Sequence, residues 1–176
     1  MLGVLIFDTL PGLFIGIGMS LVLLLYRAYR PHIATLGLVP GSRDQYGDVA
    51  RHPENALVPG VPILRVDSPL FFANAEHVRA TVRDAAAQPD ARAVILDMEA
   101  TPSVDVSAIR MLAELREDLT ARGSRLVLAR NLGQVRELMR RELGEGSVED
   151  VYPNVAAAVA ALQGGTPPDP TDGTAP

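Results

Sequence analysis

Residues 94–115, VILDMEATPSVDVSAIRMLAEL, decide the fold of this 176-residue chain. The stretch opens inside the apolar, β-branched run of residues 93–98, which is typical of a strand buried in the middle of a sheet. A loop at residues 101–104 follows, and from Val106 to Ala121 the apolar side chains recur at helical spacing on one face. The stretch therefore predicts a buried strand, a short loop and an amphipathic helix in succession.

The rest of the chain from residue 60 onward alternates in the same way. Further strands are predicted at residues 61–66, 70–72, 125–129 and 148–152. Further helices are predicted at residues 74–87 (with Asn74 as N-cap), 133–143 and 153–162. Strands that alternate with helices form a mostly parallel sheet joined by right-handed crossovers. We therefore predict an α/β domain with a mostly parallel or mixed sheet of four to five strands and flanking helices.

The N-terminal part is strongly apolar. Residues 9–26, TLPGLFIGIGMSLVLLLY, carry no charge and approach the length that a bilayer core of about 30 Å requires. Arg27 and Arg30 follow, and positive charge after a span places that side in the cytoplasm. A cleavable signal peptide would need a basic region where the chain has Asp8, and a buried helix of a soluble domain is the other alternative. We expect transmembrane structure within residues 1–30, with residues 1–8 as the end of a preceding span in a longer protein.

Two further segments complete the expected organisation around the domain at residues 60–163. Residues 31–59 are polar and rich in turn-forming proline and glycine, which predicts a linker with little regular structure. Residues 164–176, GGTPPDPTDGTAP, have the composition of a disordered tail.

Composition excludes several function classes. The net charge of −5 argues against nucleic acid as a partner. The chain has no cysteine, and its three histidines, at positions 32, 52 and 77, are too far apart to suggest a metal site. The sequence shows no nucleophile–base pair, no phosphate-binding glycine loop and no carboxylates at catalytic spacing beyond Asp97 and Glu99 at a strand end. We therefore expect no enzyme, no catalytic residue and no metal.

Asp105 and Ser107 are the candidate site residues. They lie where the loop after the buried strand meets the next helix, and the free N–H groups of a first helical turn suit an anion or a phosphoryl group. Aspartate before a helix is also a routine N-cap, and serine in a first turn is ordinary. The residues alone leave both interpretations open.

Several stretches together resemble the C-terminal part of a SulP-family sulfate permease. Residues 2–37 are similar to that family's last spans and exit into the cytoplasm, and residues 36–79 to its transition into a STAS domain, with LFFANA at 70–75 the most recognisable piece. Residues 94–108 resemble the STAS signature loop. STAS domains also occur in bacterial anti-sigma-factor antagonists, where the serine of an Asp-x-Ser loop is phosphorylated. By position these residues are Asp105 and Ser107, although Ala108 stands where the antagonists usually have glycine.

The resemblance implies a function that is not enzymatic. It implies the last membrane span and the cytoplasmic STAS regulatory domain of a sulfate or other anion transporter in the inner or plasma membrane, unable to transport alone. The alternative is a membrane-tethered anti-sigma-factor antagonist that acts by phosphorylation-dependent partner switching. Implied partners are the remaining permease membrane core, the lipid bilayer, a cytoplasmic regulatory protein and a second copy of the chain. No cofactor is expected, and weak nucleotide binding stays open.

Overall fold

The computed structural model describes residues 9–129, 133–144 and 150–164. Five helices are present in this part of the chain: α1 (Thr9–Tyr29), α2 (Phe72–Ala86), α3 (Val106–Ala121), α4 (Gly133–Leu143) and α5 (Val155–Leu162). Six strands are present in the same residues: β1 (Ile33–Leu38), β2 (Tyr46–Asp48), β3 (Ile63–Val66), β4 (Ala93–Asp97), β5 (Arg125–Ala129) and β6 (Val151–Tyr152).

The six strands form one mixed sheet in the order β2-β1-β3-β4-β5-β6. Strands β3 to β6 run parallel to one another, whereas β1 is antiparallel to both of its neighbours. The predicted α/β class with a mostly parallel sheet is confirmed, and the sheet is one strand larger than the upper limit we expected.

Helices cover both faces of the sheet, and the sheet separates the hydrophobic core into two clusters. Every residue of β4 is buried, and alternation along it sends Leu96 into one cluster and Ile95 into the other. The first cluster includes the apolar faces of α2 and α3, and the second includes that of α5. Burial on both faces explains why residues 93–98 are continuously apolar rather than alternating.

Two predictions about residues 31–72 are wrong. Strands β1 and β2 lie within residues 31–59, where we expected a linker with little regular structure. Residues 70–72 form no strand, because Leu70 makes only an isolated parallel bridge with Val104.

The predicted N-cap of the first domain helix is also wrong. Helix α2 begins at Phe72, so that Asn74 lies inside its first turn and accepts a hydrogen bond from the backbone N–H of Phe71. A side chain that reaches back in this way satisfies the backbone from inside the helix rather than from before it.

Helix α1 occupies the region that we predicted to cross a membrane. Within residues 9–129, 133–144 and 150–164, no helix has the length and apolar character needed to cross a membrane. Residues 1–8 and 165–176, for which we predicted a preceding span and most of a disordered tail, lie outside the described residues.

Candidate functional site

The candidate site lies at the sheet edge where the parallel strands end. Strands β3 and β4 both finish there, and α2 and α3 both begin there. The two connecting loops are joined through backbone hydrogen bonds, from Leu70 N–H to Ser103 O at 3.0 Å and from Asp105 N–H to Leu70 O at 3.1 Å. This edge is where open α/β sheets present ligand-binding loops.

Asp105 holds the start of two helices with one carboxylate. Its Oδ1 accepts the backbone N–H of Ala108 at 2.7 Å, which makes it the N-cap of α3. Its Oδ2 accepts the backbone N–H of Phe72 at 3.0 Å, which is the first residue of α2. An N-cap satisfies one of the orphan N–H groups of a helix, and here a single residue does so for two helices. The structural role that we left open for Asp105 is therefore present in the fold.

Ser107 is exposed at the second position of α3, next to the buried Ala108. Its backbone lies in the first helical turn, where the helix dipole favours negative charge. Ala108 is 0% exposed, so the methyl group at the position where the antagonists usually have glycine points into the core. The geometry thus presents the Ser107 hydroxyl to solvent and keeps Ala108 as a core residue.

Asn74 is a site-forming residue whose role we did not predict. Its side chain is 0% exposed, its Oδ1 accepts from Phe71 N–H at 2.9 Å, and its Nδ2 donates to Pro69 O at 2.8 Å. These two bonds fix the turn between β3 and α2. The sequence does carry one signal for this role: Asn74 is a polar residue five positions after Pro69, in a run that is otherwise apolar.

A polar cluster that sequence reasoning missed joins the segment after α1 to the same edge. Asp67, just after β3, accepts from Arg65 Nε at 2.9 Å and pairs with His32 Nδ1 at 3.0 Å. Desolvation raises the pKa of Asp67, but the hydrogen bonds from His32 and Arg65 outweigh it and leave the pKa below its ordinary value. Residues 32 and 67 are far apart in sequence, so only the antiparallel pairing of β1 with β3 brings them together.

Asp97 and Glu99 do not form a pair of exposed carboxylates. Asp97 is 1% exposed at the end of β4, and its Oδ1 accepts the backbone N–H of Glu99 at 3.1 Å, whereas the Glu99 side chain points to solvent. Among the described residues, no three His, Cys, Asp or Glu side chains gather as metal ligands would.

Comparisons with known proteins agree on one family. Residues 52–158 match the family model of the STAS domain. The high affinity sulfate transporter 1 of Stylosanthes hamata is 33% identical over 162 residues, which are 85% of this chain and 24% of that protein. The chain spans only about a fifth to a quarter of the length of the curated relatives it matches.

Solved structures agree with this assignment. The murine Solute Carrier 26 family member A9 anion transporter, in its inward-facing state, superposes with a TM-score of 0.74 at 26% identity, covering 87% of this chain and 25% of that chain. A Thermotoga maritima protein proposed to be an anti-sigma factor antagonist shares the fold, with a TM-score of 0.53 at 16% identity over 60% of this chain and 90% of that one. The chain therefore belongs to the STAS domain family, and its domain is of the kind found in SulP-family transporters.

Proposed function

We propose that this chain is the regulatory, protein-interacting STAS part of a SulP-type sulfate or anion transporter, located on the cytoplasmic side of its membrane. In this proposal it catalyses no reaction and cannot transport an anion by itself. Its main partner is the membrane-embedded remainder of the transporter.

The observation that carries this proposal is the surface of α1. Between residues 13 and 24 its large apolar side chains, at positions 13–15, 17, 19 and 21–24, are between 48% and 69% exposed. At about 100° per residue these positions fall on every side of the helix, so this stretch is apolar all round. A helix that is apolar all round requires an apolar environment. Strand β1 begins at Ile33, four residues after α1 ends at Tyr29, so this environment must lie directly beside the STAS sheet.

The content of the chain supports a regulatory role rather than transport. The chain matches 21% and 24% of the length of two of its relatives, and the STAS match accounts for residues 52–158. The described residues form an α/β domain whose sheet is packed against helices on both faces, with a hydrophobic cluster on each side. A domain of this kind acts through contacts at its surface.

Transport assays test the proposal directly. Liposomes reconstituted with this chain should take up no more radiolabelled sulfate than empty liposomes, while a complete SulP transporter gives clear uptake. In the transporter expressed from the natural gene, deletion of residues 52–158 should change the uptake rate at equal membrane abundance. Uptake by the chain alone, or an unchanged rate after the deletion, would contradict the proposal.

Ser107 is the proposed phospho-acceptor of this module. A phosphate there would place two negative charges at the N-terminus of α3, which favours them, and beside the Asp105 carboxylate, which repels them. Such a change alters the charge of the exposed edge without disturbing the core. Mass spectrometry of the protein purified from its own cells should find a phosphopeptide at Ser107, and its absence would contradict this assignment.

The second candidate function is partner switching by a membrane-tethered anti-sigma-factor antagonist. It is favoured by the same exposed Ser107 in an Asp-x-Ser loop, and by a likeness of fold alone. It predicts that a protein kinase co-purifies with the Ser107→Ala variant and is lost from the Ser107→Glu variant. Equal recovery of partners with both variants would exclude it.

A further inference from the structure

Phe72, the first residue of α2, is unusually placed for an aromatic side chain. At 74% it is the most exposed of the large hydrophobic side chains in the described part of the chain. Outside α1, the others in this class are Leu57 at 59% and Val106 at 37%. Single exposed apolar residues are normal, but Phe72 and Val106 lie together, because the carboxylate of Asp105 binds the backbone of Phe72 and Val106 is the next residue.

The turn that displays Phe72 is rigidly built. The buried Asn74 side chain ties Phe71 to Pro69, and Asp105 holds Phe72 N–H from the other helix. The ring of Phe71 meets that of Phe72 edge to face, with centroids 5.8 Å apart. Aromatic anchors on pre-ordered backbone lose little freedom on binding, which is the property of residues that dominate interfaces.

The same edge is where α1 leaves the domain. Ile33 pairs with Val66 at the end of β3, and Asp67 N–H donates to His32 O at 3.1 Å, so the chain enters the sheet beside the turn that carries Phe72. The His32–Asp67 ion pair reinforces this junction, and α1 also contacts α2. Whatever apolar body surrounds α1 therefore approaches the Phe72 edge rather than the opposite one.

We propose that the Phe72 patch, formed by Phe71, Phe72 and Val106, docks on the membrane-embedded part of the same transporter. The inference rests on the proposed function and names the surface through which it works. The occupant follows from position: α1 needs an apolar neighbour at this edge, and most of the length of the relatives is absent from this chain. Docking there places the exposed Ser107 at the rim of the same contact.

This chain has no cysteine, and any cysteine elsewhere in the transporter is first replaced by serine, so that the introduced thiol is the one that reacts. Phe72→Cys and, as a matched control, Leu57→Cys are introduced into the transporter expressed in membranes from its natural gene. Leu57 lies at the opposite edge of the sheet, next to Ala56, which bonds to Leu38 at the far end of β1. Both side chains are exposed, so neither substitution should alter the melting temperature, and the rate of labelling by a water-soluble maleimide reports coverage alone.

Labelling at position 72 should be at least about tenfold slower than at position 57, although Phe72 is the more exposed residue in the isolated fold. A photo-crosslinker attached at position 72 should join peptides from the membrane-embedded part, in the same or a neighbouring copy. Equal labelling rates overturn the inference, as does a crosslink to the STAS region of a second copy or to another protein.

Sulfate uptake by the same membranes tests the proposed regulatory function independently of the docking surface. Uptake that depends on residues 52–158, together with equal labelling rates, overturns the docking surface and leaves the regulatory role intact. Uptake that does not change when those residues are deleted overturns the proposed function, and the docking surface with it.

Discussion

Arg83 on α2 donates from Nε to Oδ2 of Asp118 on α3 at 2.9 Å, and this pair is one rung of a ladder between the two helices. Arg79 and Glu114 form the preceding rung at 2.5 Å, four residues earlier on each helix. Both pairs therefore join residues 35 positions apart. The repeated offset shows that α2 and α3 lie side by side in one register above the sheet.

Asp118 should make the stability of the domain depend on pH. Desolvation raises its pKa, but hydrogen bonds and charge from Arg122 and Arg83 outweigh this and hold the pKa below its ordinary value. A carboxyl group with a lowered folded pKa stabilises the fold above its unfolded pKa, and that contribution is lost as the pH falls from about 4 toward the folded pKa. Asp118→Asn should lower the melting temperature at neutral pH, and the difference from the wild type should shrink on acidification.

The control for this prediction is Glu114→Gln on the neighbouring rung. The Glu114 side chain is 66% exposed, against 26% for Asp118, and exposed ion pairs contribute about 1 kcal/mol or less. Thermal melts at several pH values would contradict the assignment if both variants lost stability equally, or if the Asp118→Asn difference stayed constant down to about pH 2.

Asn74 should be a stability determinant although it lies on a helix. Replacing it by alanine removes both hydrogen bonds of a side chain that is 0% exposed and leaves Phe71 N–H and Pro69 O without these partners. Buried polar groups that lose a partner cost about 1–3 kcal/mol each. We expect Asn74→Ala to lower the free energy of unfolding by about 1–3 kcal/mol or more, as measured by urea denaturation.

Gln88 offers the matched comparison, since its side chain is exposed beyond the end of α2. Gln88→Ala should change the free energy of unfolding by about 0.5 kcal/mol or less. A similar small effect of Asn74→Ala would show that the turn before α2 does not depend on this side chain.

The sequence predicts the helical half of this fold well and the edge strands poorly. Residues 93–97 have the unambiguous apolar run of a buried strand, and residues 106–121 have a clear helical period. Strand β1 was missed because Gly37 interrupts it, and glycine weakens a strand pattern. The structure gives the reason for this glycine: a Cβ there would lie 3.0 Å from Ala56 O and from Asn55 C, where the chain crosses closely. Such a contact between distant segments leaves no local signal.

The candidate site likewise combines features that local sequence predicts with features that depend on distant contacts. The position of Asp105 and Ser107 at a loop–helix junction follows from local pattern, and the structure places both there. The second bond of Asp105, to Phe72 N–H, depends on how two loops 33 residues apart meet at the sheet edge. The exposure of Phe72 has the same origin, because a Phe-Phe pair before a helix ordinarily predicts core.

Asp105 and Ser107 can be distinguished by their effects on stability. Asp105→Ala removes the N-cap of α3 and the partner of Phe72 N–H, so it should lower the free energy of unfolding by about 1–2 kcal/mol. Asp105→Asn keeps a capping oxygen and should recover much of this loss. Ser107→Ala, at an exposed position, should be close to neutral. Denaturant unfolding of the three variants checks the order, and a large loss for Ser107→Ala would mean that its hydroxyl is structural.

Gly60 and Gly123 share a left-handed backbone and differ in their surroundings, which makes them a matched pair. Their φ angles are 70° and 78°, a region that costs a non-glycine residue about 1–2 kcal/mol. Beside Gly123 an added Cβ would meet nothing within 4 Å, whereas at Gly60 it would lie 2.8 Å from the backbone O of Asp90. Gly123→Ala should therefore show the conformational cost alone, and Gly60→Ala should cost clearly more, because Gly60 O also accepts Arg92 N–H at 3.0 Å and the loop cannot easily shift. Urea denaturation of the two variants decides this, and equal losses would show that the loop before β3 moves aside freely.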